Sequence, residues 1–406
     1  MNPKAAAPVS AATPKFAKSV IEIWLNGGQC QLESFDPKPS APNDYNNGLK
    51  AIKTNAGFEI HEWMPELAKC ADLYSVVRTL THPFPGHEKA AYIMQTGHMP
   101  GDGITYPSIG AIVSSTMLVQ KKYEGDLPPF VILTQPKGRF SELGFLSDAF
   151  APLVTGGSPN AKKFVVDGIV PPGGLTDEQI KVRFARCARV NRTYVDPAFE
   201  QAGLDAQKII TGTAAKTFNL DEESKELRER YGKTHIGQSL LAARRLVEYG
   251  VPYICVNSLG WDSHKKHFET MKRPTAELDK AVAALLTDLK EKNLLNSTIV
   301  WMTGEFGRVP KVDRQAPWNG GRNHFPRCFA ALLAGGGFKG GIAVGKSDAT
   351  TDHVAERGVT PADFLGSICE RMGIDPDDKL PSAKKDFSFS VMPKASECGR
   401  LKELYA

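Results

Sequence analysis

From residue 236 onward the chain alternates between two hydrophobic periods, and that alternation limits the possible folds more than any other feature. Residues 236–249 place Leu240, Leu241, Ala243, Leu246 and Val247 on one helical stripe, stopped by Gly250. A short apolar run at 251–256 has strand character, Leu278, Val282, Leu285, Leu286 and Leu289 return to helical spacing, and further strands are expected at 298–302 and 328–333. A last helix should run from Pro361 to about Met372, before Gly373. Apolar residues three or four apart make one helix face, whereas short β-branched runs between turn signals make buried strands. Repeated strand–helix–strand units argue for an α/β chain with a mainly parallel central sheet and helices on both faces.

The first half fits the same scheme less regularly. A strand is expected at 20–25, ending in Asn26-Gly27-Gly28, and the following Asp36-Pro37-Lys38-Pro39 is too proline-bound for a helix. A second apolar segment carries Val76 and Val77 toward Leu80. His82-Pro83-Phe84-Pro85-Gly86 breaks regular structure, and His87 opens a helical pattern with Ala90, Ala91, Ile93 and Met94. Another strand falls at 130–134, and 160–174 is turn-rich. Thr176-Asp177-Glu178-Gln179 has capping-box spacing, so a helix should run from there toward Arg192. The polar stretch at about 176–230 reads as an inserted helical region of one domain spanning 20–390, with a flexible leader at 1–19 and a tail at 391–406. The glycine-rich 335–341 lacks a Gly-Lys-Ser/Thr ending and reads as a hairpin-like turn, not a phosphate loop.

Composition narrows the function classes. With 406 residues and 41% hydrophobic content, the chain can bury one large core or two moderate ones. The net charge of +5 is small and spread along the sequence, so no basic stripe marks a nucleic-acid surface. The 7 cysteines are odd in number and form no Cys-x-x-Cys pair. That excludes a zinc knuckle and a full disulfide framework, and buried thiols are the expectation. No apolar run approaches the roughly 18 residues of a membrane span. The N-terminus lacks the basic and apolar regions of a signal peptide, so residues 1–17 read as a flexible leader or a processing remnant. Compartment and oligomeric state are not encoded.

Three clusters carry candidate chemistry: Trp261-Asp262-Ser263-His264, Gly304-Glu305-Phe306-Gly307-Arg308 and Gly321-Arg322-Asn323-His324. Each follows or borders an expected strand, and open α/β folds place ligand sites at the carboxyl edge of their sheets. Asp262 and His264, two positions apart, suit a divalent metal that takes oxygen and nitrogen donors. Glu305 is a carboxylate at a strand end. Arg308, fixed in charge, either holds an anion or pairs with Glu305. His324 offers the next imidazole, and His267 is expected on a following helical turn. Cys30 and Glu33 follow the first strand, Cys30 without a neighbouring charge to activate it. His87 opens a helix, where free N–H groups favour anions.

These motifs, together with Leu25-Asn26-Gly27-Gly28, Glu33-Ser34-Phe35-Asp36-Pro37-Lys38-Pro39 and Arg244-Arg245-Leu246-Val247-Glu248, resemble the DUF1501 family over about residues 20–375. Members are bacterial proteins of unknown activity, placed with the alkaline phosphatases and sulfatases. The resemblance implies an alkaline-phosphatase-like three-layer sandwich with a site for one or two divalent metals. It implies Asp262, His264, Glu305 and His324 as ligands, with Glu33, where the family usually has Asp, as a weaker one. Asn323 also stands where Asp is common. Family members often begin with a twin-arginine export signal; none is present here, so the chain reads as a mature, exported or periplasmic form. A sulfatase-like count back from Met94-Gln95-Thr96-Gly97 puts His87 at the nucleophile position.

The reading so implied is a metal-dependent hydrolase of phosphate or sulfate esters, with zinc, manganese, iron or calcium not distinguished. His87 would be ligand, general base or nucleophile, and Arg308 or Arg322 would stabilise the oxyanion. The substrate would be an anionic ester such as a sulfated or phosphorylated sugar. A mutase or isomerase on the same scaffold, and a non-catalytic metal-bearing binding protein for sulfated polysaccharide, are the alternatives.

Overall fold

The computed structural model describes residues 15–101, 103–135, 143–169, 175–191, 197–212, 214–380 and 388–406. Eight strands form its central sheet: β1 (Ser19–Leu25), β2 (Tyr74–Leu80), β3 (Phe130–Leu133), β4 (Leu153–Val154), β5 (Tyr253–Ser258), β6 (Thr298–Thr303), β7 (Phe329–Gly335) and β8 (Ala343–Val344). Their order across the sheet is β8-β2-β7-β6-β1-β5-β3-β4. Every neighbouring pair is parallel except the two made by β7, which runs against both β2 and β6.

The period of two along β1 explains the layers. Ile21, Ile23 and Leu25 belong to one buried cluster, while Val20 and Trp24 belong to the cluster on the opposite face. Among helices of ten residues or more, α1 (His87–Thr96), α2 (Ile109–Val119) and α7 (Pro361–Arg371) cover the Trp24 face. Helices α5 (His235–Tyr249) and α6 (His267–Glu291) cover the Ile21 face. Two more, α3 (Asp177–Asn191) and α4 (Pro197–Thr211), occupy the stretch read as an insertion. The expected capping box is present: Thr176 Oγ1 accepts from Gln179 N–H, and Gln179 Oε1 accepts from Thr176 N–H. The architecture is therefore the expected three-layer α/β sandwich.

The ends and turns differ in detail. Strand β1 begins at Ser19, and Ala17 is already buried, its N–H bonded to the Arg371 carbonyl. At the other end Leu401 and Leu404 are buried in the core beneath α7. Of the expected leader, residues 1–14 lie outside the described residues, as do 170–174 of the turn-rich stretch and Arg192. The glycine-rich turn does not make a hairpin; it carries the chain from β7 past β2 to β8, and the two strands it joins both pair with β2. Among the described residues no helix is long and apolar enough to cross a membrane, and no cysteine is in a disulfide.

The direction of β7 decides where the site forms. Strands β1, β2, β5 and β6 end at one edge, and because β7 is antiparallel, its amino end reaches that same edge, with Phe329 opposite Leu80. Segments after four strands and before a fifth therefore meet there. The packing that holds this frame is testable at Leu285, fully buried in α6. Leu285→Ala should lower the unfolding free energy by about 2–5 kcal/mol with little change in denaturant slope, measured by urea titration. A loss under about 1 kcal/mol would contradict a close-packed α5/α6 layer.

Candidate metal centre

The loops at the carboxyl edge approach each other closely because glycines line the contacts. Gly27 has φ +107, and a Cβ there would lie 2.2 Å from the Asp262 nitrogen; Gly28, φ +79, would press on the Phe306 carbonyl at 2.0 Å. These positions accept only glycine, both for their positive φ and for the missing room. The loop after β1 thus packs directly on the loops after β5 and β6. His324 is held from another direction: His324–Phe325 forms a two-residue antiparallel ladder with Gly307–Arg308.

Three imidazoles meet one carboxylate where these loops converge. Asp262 Oδ1 lies 2.9 Å from His264 Nε2 and 3.0 Å from His324 Nε2, and Asp262 Oδ2 lies 3.3 Å from His87 Nε2. The Nε2 atoms of His264 and His324 are themselves 3.1 Å apart. Each ring has its other nitrogen committed to an oxygen. His87 Nδ1–H donates to Glu305 Oε1 at 2.7 Å, His324 Nδ1–H to the Pro85 carbonyl at 2.8 Å, and His264 Nδ1–H to Asn323 Oδ1 at 2.9 Å. A neutral imidazole with its proton on Nδ1 presents a bare lone pair at Nε2. Such lone pairs and a carboxylate facing each other repel unless a positive charge, a ring proton or a metal ion, lies among them.

The spacing is metal-like. His87, Asp262 and His324 each offer a ligand atom within 4.8 Å of the others, and His264 Nε2 lies beside two of them, Asp262 Oδ1 and His324 Nε2, where two donors on one transition-metal ion would lie roughly 3.0–3.4 Å apart. Protonating all the rings instead would crowd several positive charges around a single carboxylate. The donor set of nitrogen and carboxylate oxygen suits zinc, iron or manganese, and it is poor for calcium, which prefers oxygen alone.

The electrostatics differ from group to group. Partial burial pushes the Asp262 carboxyl up, but the Arg308 hydrogen bond and charge, aided by His324, hold it well below the usual carboxylate range. The His324 ring is pushed down by burial, against the pull of Asp262. The His87 ring is raised, chiefly by its hydrogen bond to Glu305. Phe306 stacks on the His324 ring at 4.2 Å between centroids and shuts one side of the centre.

Glu305 is delivered to the same place but with its oxygens turned to protein groups. Gly27 N–H lies 3.0 Å from both of them, and Oε1 also receives the His87 proton. His82, whose pKa burial lowers to about 4, stays neutral and donates from Nε2 to the Glu305 carbonyl at 2.6 Å. In this position Glu305 orients His87, a carboxylate–histidine pairing of the kind that fixes the tautomer of rings that bind metals.

The remaining candidates are placed elsewhere. Glu33 does not reach the centre: its carboxylate is buried against Arg322, 2.7 Å away, and His267, 3.2 Å away. Nor are the two arginines open to an oxyanion. Arg308 is fully buried and donates to Asp262, to the Trp261 carbonyl and to the carbonyls of Gly27 and Gly28. Arg322 is spent on Glu33 and on the carbonyls of Tyr45, Val309 and Pro310. Both hold loops, because a guanidinium with five donors satisfies several buried carbonyls at once. Sequence reasoning missed Pro85, Asn323, Phe306 and His82 as supports of the centre. Asn323 and Phe306 carried a signal, since both stand inside clusters named from the sequence.

A family model described as "Protein of unknown function (DUF1501)" matches residues 17–389. No curated protein matches the sequence. Similar solved structures include Ps i-CgsB in complex with k-i-k-neocarrahexaose, at 12% identity over 88% of this chain and 72% of that one, TM-score 0.41. PsFucS1 sulfatase from Pseudoalteromonas sp. shares 12% identity over 90% and 69%, TM-score 0.38. The phosphonate monoester hydrolase SpPMH from Silicibacter pomeroyi shares 11% over 95% and 76%, TM-score 0.37. These likenesses are distant, and the chemistry below is drawn from this chain's own residues.

A pH dependence follows from His87. Its raised pKa means that a proton gained by the metal-free ring stabilises the fold, fully below the unfolded value near 6.5, and that this contribution is lost as pH rises through the folded value. A metal must displace the same proton. Zinc affinity, followed by chelator competition, should therefore rise with pH until His87 is neutral and then level off, and His87→Gln should reduce the slope. An affinity independent of pH between about 5.5 and 8 would contradict this.

Proposed function

The chain belongs to the DUF1501 family, and on that premise we propose that it is a metal-dependent hydrolase of phosphate or sulfate esters. The observation that carries the reading is the meeting of Nε2 of His87, His264 and His324 with the Asp262 carboxylate, each ring's Nδ1 proton being already committed. These four side chains would hold the ion. When bound, a divalent ion supplies Lewis acidity toward an ester oxygen and lowers the pKa of coordinated water.

The chain's own residues supply the rest. Glu305 fixes the His87 tautomer, Arg308 keeps Asp262 ionised, and Phe306 excludes water from one side of the His324 ring. With Arg308 and Arg322 committed to loops, an anionic group would be met by the start of α1, whose first turn has no side-chain cap and presents free N–H groups. His87, the first residue of that helix, offers no hydroxyl and both its nitrogens are engaged. Hydrolysis by water activated at the centre therefore fits better than a covalent intermediate on the protein. The same observation favours one second reading, a metal-bearing binding protein without turnover.

The two separate by experiment. The purified protein should carry about one equivalent of transition metal and hydrolyse p-nitrophenyl phosphate or p-nitrophenyl sulfate, or both, and Asp262→Ala should lose both metal and turnover. Metal retained without hydrolysis of either ester class would leave the binding reading standing. A wild-type protein that takes up no transition metal would contradict both.

A further inference from the structure

Behind the metal centre lies a second set of polar side chains that it does not use. Glu33 and His267 are each less than one-twentieth exposed, at 4% and 2%, and Cys30 is buried beside them. Ser263 Oγ lies 2.7 Å from His267 Nδ1, and His267 Nε2 lies 3.2 Å from Glu33 Oε2. Glu33 Oε1 receives a hydrogen bond from Arg322 Nη2 at 2.7 Å. The links join distant segments: Ser263 sits between Asp262 and His264, and Arg322 stands two residues before His324.

We propose that Glu33 is a positioning residue, whose buried carboxylate ties the loop carrying Asp262 and His264 to the loop carrying His324. The inference rests on the metal reading above. An ionised carboxylate only accepts, so it sets the direction of the whole chain of hydrogen bonds: His267 donates from Nε2, its Nδ1 therefore accepts, and the Ser263 hydroxyl donates to it. On its other oxygen Glu33 takes the Arg322 guanidinium, whose remaining donors pin the carbonyls of Val309, Pro310 and Tyr45. The two loops, which also meet through Lys266 N–H to the Trp318 carbonyl and His267 N–H to the Gly320 carbonyl, are thus both referred to one fixed carboxylate. Gly321 lets them touch, since a Cβ there would lie 1.8 Å from the His264 carbonyl. Burial makes the tie strong, because hydrogen bonds in a low-dielectric interior are stronger than in water; among the described residues, Arg322 Nε is the one donor of this network left without a partner.

Two other uses of the same residues are weaker. Cys30, Glu33 and His267 offer ligand atoms within 4.8 Å of one another, which is metal-like spacing. Yet both nitrogens of His267 and both oxygens of Glu33 already have protein partners. Ser263, His267 and Glu33 also have the connectivity of a nucleophile, base and orienting acid. The Ser263 hydroxyl, however, is turned to the buried His267, while the side chains on either side of it meet at the centre.

Zinc binding to the full chain tests this, with dissociation constant and stoichiometry taken from chelator competition and the melting temperature of the metal-free form measured in parallel. Glu33→Gln removes the charge. Ser263→Ala cuts the relay without leaving a buried charge unpaired, and it decides the matter if Glu33→Gln does not fold. Both should weaken zinc binding about 10- to 100-fold, the usual range for residues that orient ligands. Ser263→Ala should do so with a metal-free melting temperature within about 2 °C of wild type. Unchanged zinc affinity in Ser263→Ala would overturn the proposal. So would loss of a second zinc equivalent in Cys30→Ser, which would make the cluster a metal site. Abolished ester turnover in Ser263→Ala at full zinc affinity would also overturn it, by making Ser263 the nucleophile. Wild-type protein that binds no zinc, iron or manganese fails at the earlier step and refutes the metal reading itself.

Discussion

Imidazole nitrogens and a carboxylate gathered at close range need a positive charge among them, a ring proton or a metal ion, and the rest of the carboxyl edge is arranged to keep them there. The Nδ1 protons of His87, His264 and His324 are held by Glu305, Asn323 and the Pro85 carbonyl. Those acceptors decide that the free nitrogens point inward. The buried arginines serve the same end: Arg308 bridges the loops after β1 and β5 and keeps Asp262 ionised, and Arg322 braces the loop before β7. Charges that looked available for substrate are consumed in fixing the donors.

The scaffold makes this affordable through backbone contacts instead of bulk. Gly27, Gly28 and Gly321 remove side chains where three loops cross, so that main chains touch directly. Adding a methyl group at any of them would push a ligand-bearing loop outward, and misplacing a coordinating atom by a fraction of an ångström is enough to weaken a metal site. Preorganisation of this kind costs local freedom, which the buried layers on both sheet faces offset.

Much of the fold was legible because it rests on local periodicity. The stripes at Leu240 to Val247 and Leu278 to Leu289, the strand before Asn26-Gly27-Gly28 and the helix opening at His87 all follow from spacing and turn residues. The direction of β7 was not legible, since an apolar run reads the same whichever way it is paired, and direction is set by contacts with Leu80 and Met302 far away in sequence. The site divides on the same line. Residue type and strand-end position brought Asp262, His264 and His324 into view. The division of labour among His87, Glu305, Glu33 and the arginines depended on which atoms each side chain finds within 3 Å. A carboxylate that orients and a carboxylate that coordinates look alike in a sequence.

The central claim is that Asp262, His87, His264 and His324 share one ion, and anomalous diffraction recorded at the zinc, iron and manganese edges tests it most directly. A single peak is expected about 2.0–2.3 Å from the three Nε2 atoms and an Asp262 oxygen. It should appear at the edge of one element, with Glu33 and Glu305 outside its coordination sphere. Crystals grown with transition metal that show no peak among these side chains, or a peak at Cys30, Glu33 and His267 alone, would contradict the claim.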